Sequence, residues 1–150
     1  MTHPLIWILN GPNLNKLGTR QPNIYGTMTL PSIEENCRRH AEIHGFGIDF
    51  RQTNHEGVLI DWVQEANDKA HGLVINAAGY THTSIALMDA LLMLNIPIID
   101  VHLTNIFARE SHRTTSLIAS TALGVIAGFG ENGYILAIDA LIPYVKQKII

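Results

Sequence analysis

The chain has 150 residues, 47% of them hydrophobic and 15% charged, with a formal net charge of −3. Those values exclude a disordered chain and fit one domain, residues 1–150, able to bury about 68–70% of its extended surface. The mildly acidic balance gives no basis for a nucleic-acid or anionic-membrane partner, and a single cysteine, Cys37, excludes an intramolecular disulfide, with no Cys pair or Cys/His run to suggest zinc.

The N-terminus passes from Met1-Thr2-His3-Pro4 into Leu5–Leu9, the first predicted strand. That run is too short for a signal peptide or a membrane span, so a cytoplasmic protein is expected. Asn10-Gly11-Pro12-Asn13 ends the strand and opens a long polar segment reaching Gly26. Thr29 is placed to cap a helix over Leu30–His44, with Pro31 in its first turn and Gly45 after its end. Ile48–Gln52 alternates apolar and polar residues and is the expected edge strand. There follow a helix over Gly57–His71, a strand at Leu73–Asn76, a helix over Thr83–Asn95, and strands at Pro97–Val101 and Leu123–Ala127. Asn132–Lys148 closes the chain as a helix with an expected kink at Pro143.

Three of the five strands read as continuously apolar, as parallel strands covered on both faces do. Strand alternating with helix implies a flavodoxin-like, doubly wound five-stranded parallel sheet of order 2-1-3-4-5 in a three-layer αβα sandwich. The segment from Ile85 to Leu94 is apolar almost all round. One face would cover the sheet and the other calls for a second subunit, so a homo-oligomer is expected.

In such sheets ligands bind beyond the carboxyl ends of the strands where the strand order reverses, here between the first and third strands. Three segments leave that edge, Asn10–Gly26, Asn76–Ser84 and Asp100–Arg113, each longer than the usual βα connection of about 2–6 residues. They offer amides, hydroxyls, imidazoles, three arginines and tyrosine. They contain no phosphate-binding glycine fingerprint and no carboxylate cluster for a divalent metal. Neutral hydrogen-bonding groups with arginine suit a small polyhydroxylated carboxylate.

Individually the residues are ambiguous. Arg20 and Tyr25 lie in a segment punctuated by Gly18, Pro22 and Gly26 that could move as a lid. A tyrosine of ordinary pKa near 10 serves as a base only beside a cation, and lowering it by ~2 units takes about 2.7 kcal/mol. A packed tyrosine and a solvated arginine is the competing reading. Asn10 and Asn13 read as turn formers or as oxyanion donors. His82 reads equally as a capping residue or a ligand contact, whereas Asn76 at the end of an apolar strand needs buried partners. Asp100 and His102 share one side of a strand. A carboxylate there fixes the imidazole's tautomer and favours a general acid, or forms a structural ion pair. Arg109 and Arg113 would share a face on a helical turn. His3, His40, His44, His55 and His71 have no matching partners in the sequence, His112 has no pattern, and no lysine falls in an apolar strand, which disfavours imine chemistry.

Taken together, the chain resembles the type II 3-dehydroquinate dehydratases. The likeness is carried by Asn10-Gly11-Pro12-Asn13-Leu14, Leu17-Gly18, Arg20 through Tyr25-Gly26, and Asn76 through Ser84. It continues in Val101-His102-Leu103-Thr104-Asn105, Ala108-Arg109-Glu110 with Arg113, and Gly128-Phe129-Gly130 with Gly133-Tyr134.

The resemblance implies a reversible anti elimination of water from 3-dehydroquinate through an enolate, giving 3-dehydroshikimate in the shikimate pathway without metal or organic cofactor. It implies Tyr25 as the base with Arg20 lowering its pKa, Asn13 stabilising the enolate through a water, and His102 as the acid. Asn76, His82, Leu103 (through its backbone), Thr104 and Arg113 would hold the substrate, and Arg109 would assist Arg20. Asp89 would reach a neighbouring subunit's site in trimers assembled into a dodecamer.

Asp100 stands where the family usually has glutamate, one methylene longer. The expectation is a water-bridged pair or a less firmly held His102. Thr104 replaces a commoner serine, Ala78 a frequent glycine, and Thr114-Thr115 more basic residues. The alternatives are a flavin carrier or small-molecule sensor on the same fold, and a dehydratase homologue weakened at Asp100.

Overall fold

Five strands form one parallel sheet: β1 (Leu5–Asn10), β2 (Gly47–Gln52), β3 (Gly72–Asn76), β4 (Ile98–His102) and β5 (Gly124–Ala127). Their spatial order is β2-β1-β3-β4-β5, as expected. The computed structural model describes residues 3–19, 22–25 and 27–149, excluding the side chains of Pro22, Tyr25 and residues 146–149. Helices α1 (Pro22–Tyr25), α2 (Leu30–Ile43), α3 (Glu56–Lys69), α4 (Ile85–Leu92) and α5 (Asn132–Ile149) complete the fold with several short 3₁₀ turns.

The two-residue period of the strands sorts the core into two layers. Ile6, Ile8, Val74, Ile99 and Val101 pack against α2 and α5. Trp7, Leu9, Leu73, Ile75 and Ile98 pack against α3 and α4. β3 and β4 are buried at every position and β1 at all but its first, so β1 and β3 read as apolar runs up to their terminal asparagines, while β4 carries the buried Asp100 and His102. β2 is an edge strand, and β5 is the other edge. Arg51 of β2 lies 4.1 Å above the Trp7 ring and pairs with Asp49 and Glu65, fixing that edge to α3.

Most boundaries follow the sequence, and the exceptions have local causes. Thr29 caps α2 by accepting from the Ser32 N–H at 3.4 Å, and Gly45 after the helix has φ +83°. α4 is shorter than the expected Thr83–Asn95. Ser84 is the cap, its Oγ accepting from the Leu87 N–H at 2.9 Å. At the other end the Asn95 N–H turns to the Asn67 side chain at 2.8 Å. α3 stops at Lys69 because Ala70 is extended and the His71 N–H pairs with the Leu5 carbonyl. Pro97 precedes β4 rather than joining it, and the strand continues through His102. β5 begins at Gly124, leaving Leu123 half exposed. α1 interrupts what reads as open loop, and α5 continues through Pro143. No helix of the described residues is long and apolar enough to cross a membrane.

Cys37 is fully enclosed in the α2 layer, and burial, with Glu34 nearby, pushes its thiol up to about 12. The native protein is therefore expected to be inert to a disulfide reagent at neutral pH and to release one reactive thiol on denaturation. A thiol titration with and without denaturant checks this, and equal rates in the two states would refute the burial.

Candidate active site

The site begins with a rung of amides. The sheet register pairs Asn10 with Gln52 on one side and Asn76 on the other, so three amide side chains stand at the carboxyl ends of adjacent strands. Asn10 is fully buried, its Oδ1 accepting from the Tyr134 hydroxyl at 2.6 Å and its Nδ2 donating to the Arg51 carbonyl at 3.0 Å. Asn76 Nδ2 donates to the same Tyr134 oxygen at 3.0 Å, and Asn76 Oδ1 accepts from the Ala78 N–H at 3.2 Å. Asn10 thus serves structure, and Asn76 is locked in orientation with its face toward the crevice. Tyr134 is the element that sequence reasoning missed as a site residue. Its burial raises the phenol's pKa, the Asn76 hydrogen bond acting in the opposite sense, so it is a neutral tie between two strand ends. Gly133-Tyr134 was visible as a motif, but the link to a residue 124 positions earlier was not.

Gly11 makes the rung possible. Its N–H donates to the Asn76 carbonyl at 2.8 Å, and a Cβ there would stand 2.5 Å from the Ala77 carbonyl oxygen. Gly11→Ala is expected to destabilise the protein by about 1–3 kcal/mol, because backbone rather than a flexible side chain must yield. Chemical denaturation checks this, and a midpoint equal to wild type would show that the strand ends part freely. The next residues also carry unusual backbone. Asn13 has φ 71° and donates its N–H to the Asn54 side chain at 2.9 Å. Ala78 has φ 51°, a left-handed conformation that costs a non-glycine residue about 1–2 kcal/mol.

β4 supplies the ionisable pair. Asp100 is fully buried and His102 is 4% exposed, with Asp100 Oδ1 lying 3.0 Å from His102 Nε2. The two side chains meet directly, so the shorter carboxylate still reaches the imidazole. The ring N–H is poorly aligned with the carboxylate, and neither Asp100 oxygen has a hydrogen-bonded donor among the described residues. The two groups are in polar contact inside the protein, where such interactions are stronger than in water.

The two remaining loops close around this pair. His82 Nδ1 lies 2.7 Å from the Thr115 carbonyl. A carbonyl only accepts, so Nδ1 carries the proton and Nε2 of the neutral ring is an acceptor. Arg109 donates to Thr104 Oγ1 at 3.4 Å. Arg109 and Arg113 both approach Glu110, at 3.6 and 3.1 Å. They do not share a helical turn as expected. Arg109 is extended between two 3₁₀ turns, and the shared carboxylate brings the guanidiniums together. Glu110 is held below the usual carboxylate range by a hydrogen bond from its own N–H and by both arginines, so it balances their charge. The Leu103 carbonyl accepts from the Gly130 N–H at 2.9 Å, which fixes the backbone leaving β4.

These groups border one cavity of about 150 Å³. Asn13, Asn76, His82, His102, Leu103, Thr104, Arg109 and Arg113 all line it. Leu14 and Leu17, both in the family-like motifs, and Ile106, which lies outside them, add an apolar wall. The volume is below the ~300–1,000 Å³ of drug-sized pockets and suits a small ring acid better than a flavin. Asp100 lies behind His102 and does not line the cavity. Asp89 is exposed on α4 and does not line its own chain's crevice. Arg20 and the side chain of Tyr25 fall outside the described residues.

Comparison with known proteins places this arrangement. Residues 4–142 match the family described as Dehydroquinase class II. A 3-dehydroquinate dehydratase of Dinoroseobacter shibae is 57% identical over 136 residues, covering 91% of each chain. One from Rhizobium meliloti is 54% identical over 136 residues, covering 91% of this chain and 92% of its own. The crystal structure of the type II dehydroquinase from Propionibacterium acnes superimposes with a TM-score of 0.91 at 39% identity, covering 95% of this chain and 98% of that one. The chain belongs to the class II dehydroquinase family.

Proposed function

We propose that the chain is a hydro-lyase that dehydrates 3-dehydroquinate to 3-dehydroshikimate in the shikimate pathway, by anti elimination through an enolate. The observation that carries the reading is the convergence of Asn13, Asn76, His82, His102, Thr104 and Arg113 on one small cavity in a chain of this family. The substrate is a β-hydroxy ketone with a carboxylate on the carbon that bears the departing hydroxyl. Its anion suits Arg113, and its hydroxyls suit Asn76, His82, Thr104 and the Leu103 backbone.

In the proposed reaction the Tyr25 phenolate, kept ionised by Arg20 with Arg109 assisting, removes the proton α to the ketone. The electron pair moves onto the carbonyl oxygen, and Asn13 stabilises that enolate through a water. The enolate then re-forms the ketone, pushes out the β-hydroxyl and leaves the conjugated double bond. His102, with Asp100 behind it, gives the departing oxygen its proton. The proton lost to Tyr25 and the proton spent by His102 are restored through solvent, so the sum is loss of one water. No step calls for a metal or an organic cofactor, since the substrate's own ketone acidifies the proton.

The exposed apolar side of α4 supports a homo-oligomer. Ile85, Leu92 and Met93 are each about 60% exposed there, beside Asp89. In this reading a second copy covers that face, Asp89 approaches the neighbour's crevice, and trimers assemble into a dodecamer. Residues 1–150 act as one catalytic domain in the cytoplasm. The test is direct: purified protein and 3-dehydroquinate, without added metal or cofactor, followed by ultraviolet absorbance of the enone. Turnover that survives chelator and borohydride supports a metal-free, imine-free elimination. Absence of turnover at saturating substrate would overturn the reading.

A further inference from the structure

Outside the residues that line the crevice, α2 and α5 bring three ligand-type side chains together at the surface. His40 and His44 are one helical turn apart at the end of α2, with ring centroids 5.0 Å apart. Asp139 comes from α5, and its Oδ1 lies 2.6 Å from His40 Nε2. One donor atom from each of the three lies within 4.8 Å of the other two. We propose that His40, His44 and Asp139 form a surface site for a divalent zinc-type ion that pins α2 to α5.

The donor set is chemically matched. Imidazole suits zinc, nickel and copper, and a carboxylate completes a mixed N₂O set with an open position for water. The spacing is also within reach. Zinc sits about 2.0–2.2 Å from such nitrogen and oxygen donors, so tetrahedral donors stand roughly 3.3 Å apart by the same geometry. The His40–Asp139 contact must open slightly, and His44 must draw in. Both movements are available, because His44 and Asp139 are exposed and His40 is only partly buried. The scaffold beneath need not move: Cys37 and Ala41 of α2 and Ala137, Ile138 and Leu141 of α5 share one buried core. Two ligands at an i, i+4 spacing on a helix already share a face. The third is 99 residues from His40, which is why no Cys/His run in the sequence signals the site.

The experiment titrates untagged protein with zinc chloride by calorimetry, and with cobalt chloride by visible absorption. The variants are His44→Ala and Asp139→Asn, with His3→Ala as the control for a histidine elsewhere. The expected result is one saturable ion per chain, weakened at least tenfold in His44→Ala and in Asp139→Asn and unchanged in the control. A zinc-dependent rise in melting temperature should vanish in the same two variants, while their turnover of 3-dehydroquinate and their circular dichroism stay at wild-type level. No saturable binding to wild type would overturn the proposal. Equal affinity in His44→Ala and wild type, or weakening in the control alone, would place the ion elsewhere and overturn it too.

Discussion

Replacing Tyr25 by phenylalanine should lower kcat by about 10²–10⁴-fold, the range a positioned general base supplies, with KM changed far less. Most other groups that border the cavity are poor bases. Amides, the Thr104 hydroxyl and the guanidiniums of Arg109 and Arg113 cannot take a proton from carbon at neutral pH. That leaves His102, in contact with Asp100, and His82, whose Nδ1–H is committed to the Thr115 carbonyl. A phenol of ordinary pKa near 10 is ionised in roughly one molecule in a thousand at pH 7, so the reading also requires Arg20. Arg20→Ala should reduce kcat and move the acidic limb of the pH–rate profile upward, because a base with less cationic support gains its charge at higher pH. Steady-state kinetics on both variants check this, with circular dichroism to confirm the fold. Should Tyr25→Phe keep turnover within a few fold while His82→Gln abolishes it, the base is His82 Nε2 and the tyrosine assignment is wrong.

How far the sequence carried this reading depended on whether the cause was local. The parallel sheet was legible because strands covered on both faces are mostly apolar, as β1 and β3 are up to their terminal asparagines. The Thr29 cap was legible because a hydroxyl before an apolar period has one geometric use. The ends of α4 were not. Thr83 and Ser84 are equally able to cap, and the choice rests on packing, while the far end is set by a hydrogen bond to Asn67 in another helix. The site divides in the same way. Asp100 and His102 are two residues apart on one strand, so their contact could be anticipated from strand periodicity alone. Asn10 and Asn13 looked alike in a turn-forming segment, yet one is a buried tie to Tyr134 and the other lines the cavity. That distinction depends on a tyrosine from the last helix, which no short-range pattern encodes. The partnership of His40 with Asp139 is hidden for the same reason.

The second large effect concerns the acid. His102→Gln keeps a side chain of similar length and an N–H donor but removes the transferable proton, so kcat should fall by about 10²–10⁴-fold. The elimination would then depend on water to protonate the departing hydroxyl, and the loss should be largest in single-turnover measurements of the chemical step. The companion variant is Asp100→Glu, which lengthens the carboxylate by one methylene. If aspartate were a defect, glutamate would raise kcat. The geometry argues otherwise, because Asp100 Oδ1 already reaches His102 Nε2 at 3.0 Å. Asp100 is also fully buried, in register with Ile75 on one neighbouring strand and Val125 on the other. An added methylene must be accommodated in packed core, at a cost of about 1–3 kcal/mol in stability. The expected outcome is therefore lower stability by denaturant titration with no gain in kcat. A tenfold or greater rise in kcat would show instead that the shorter carboxylate holds the imidazole in an unproductive orientation, consistent with the poor alignment of its N–H.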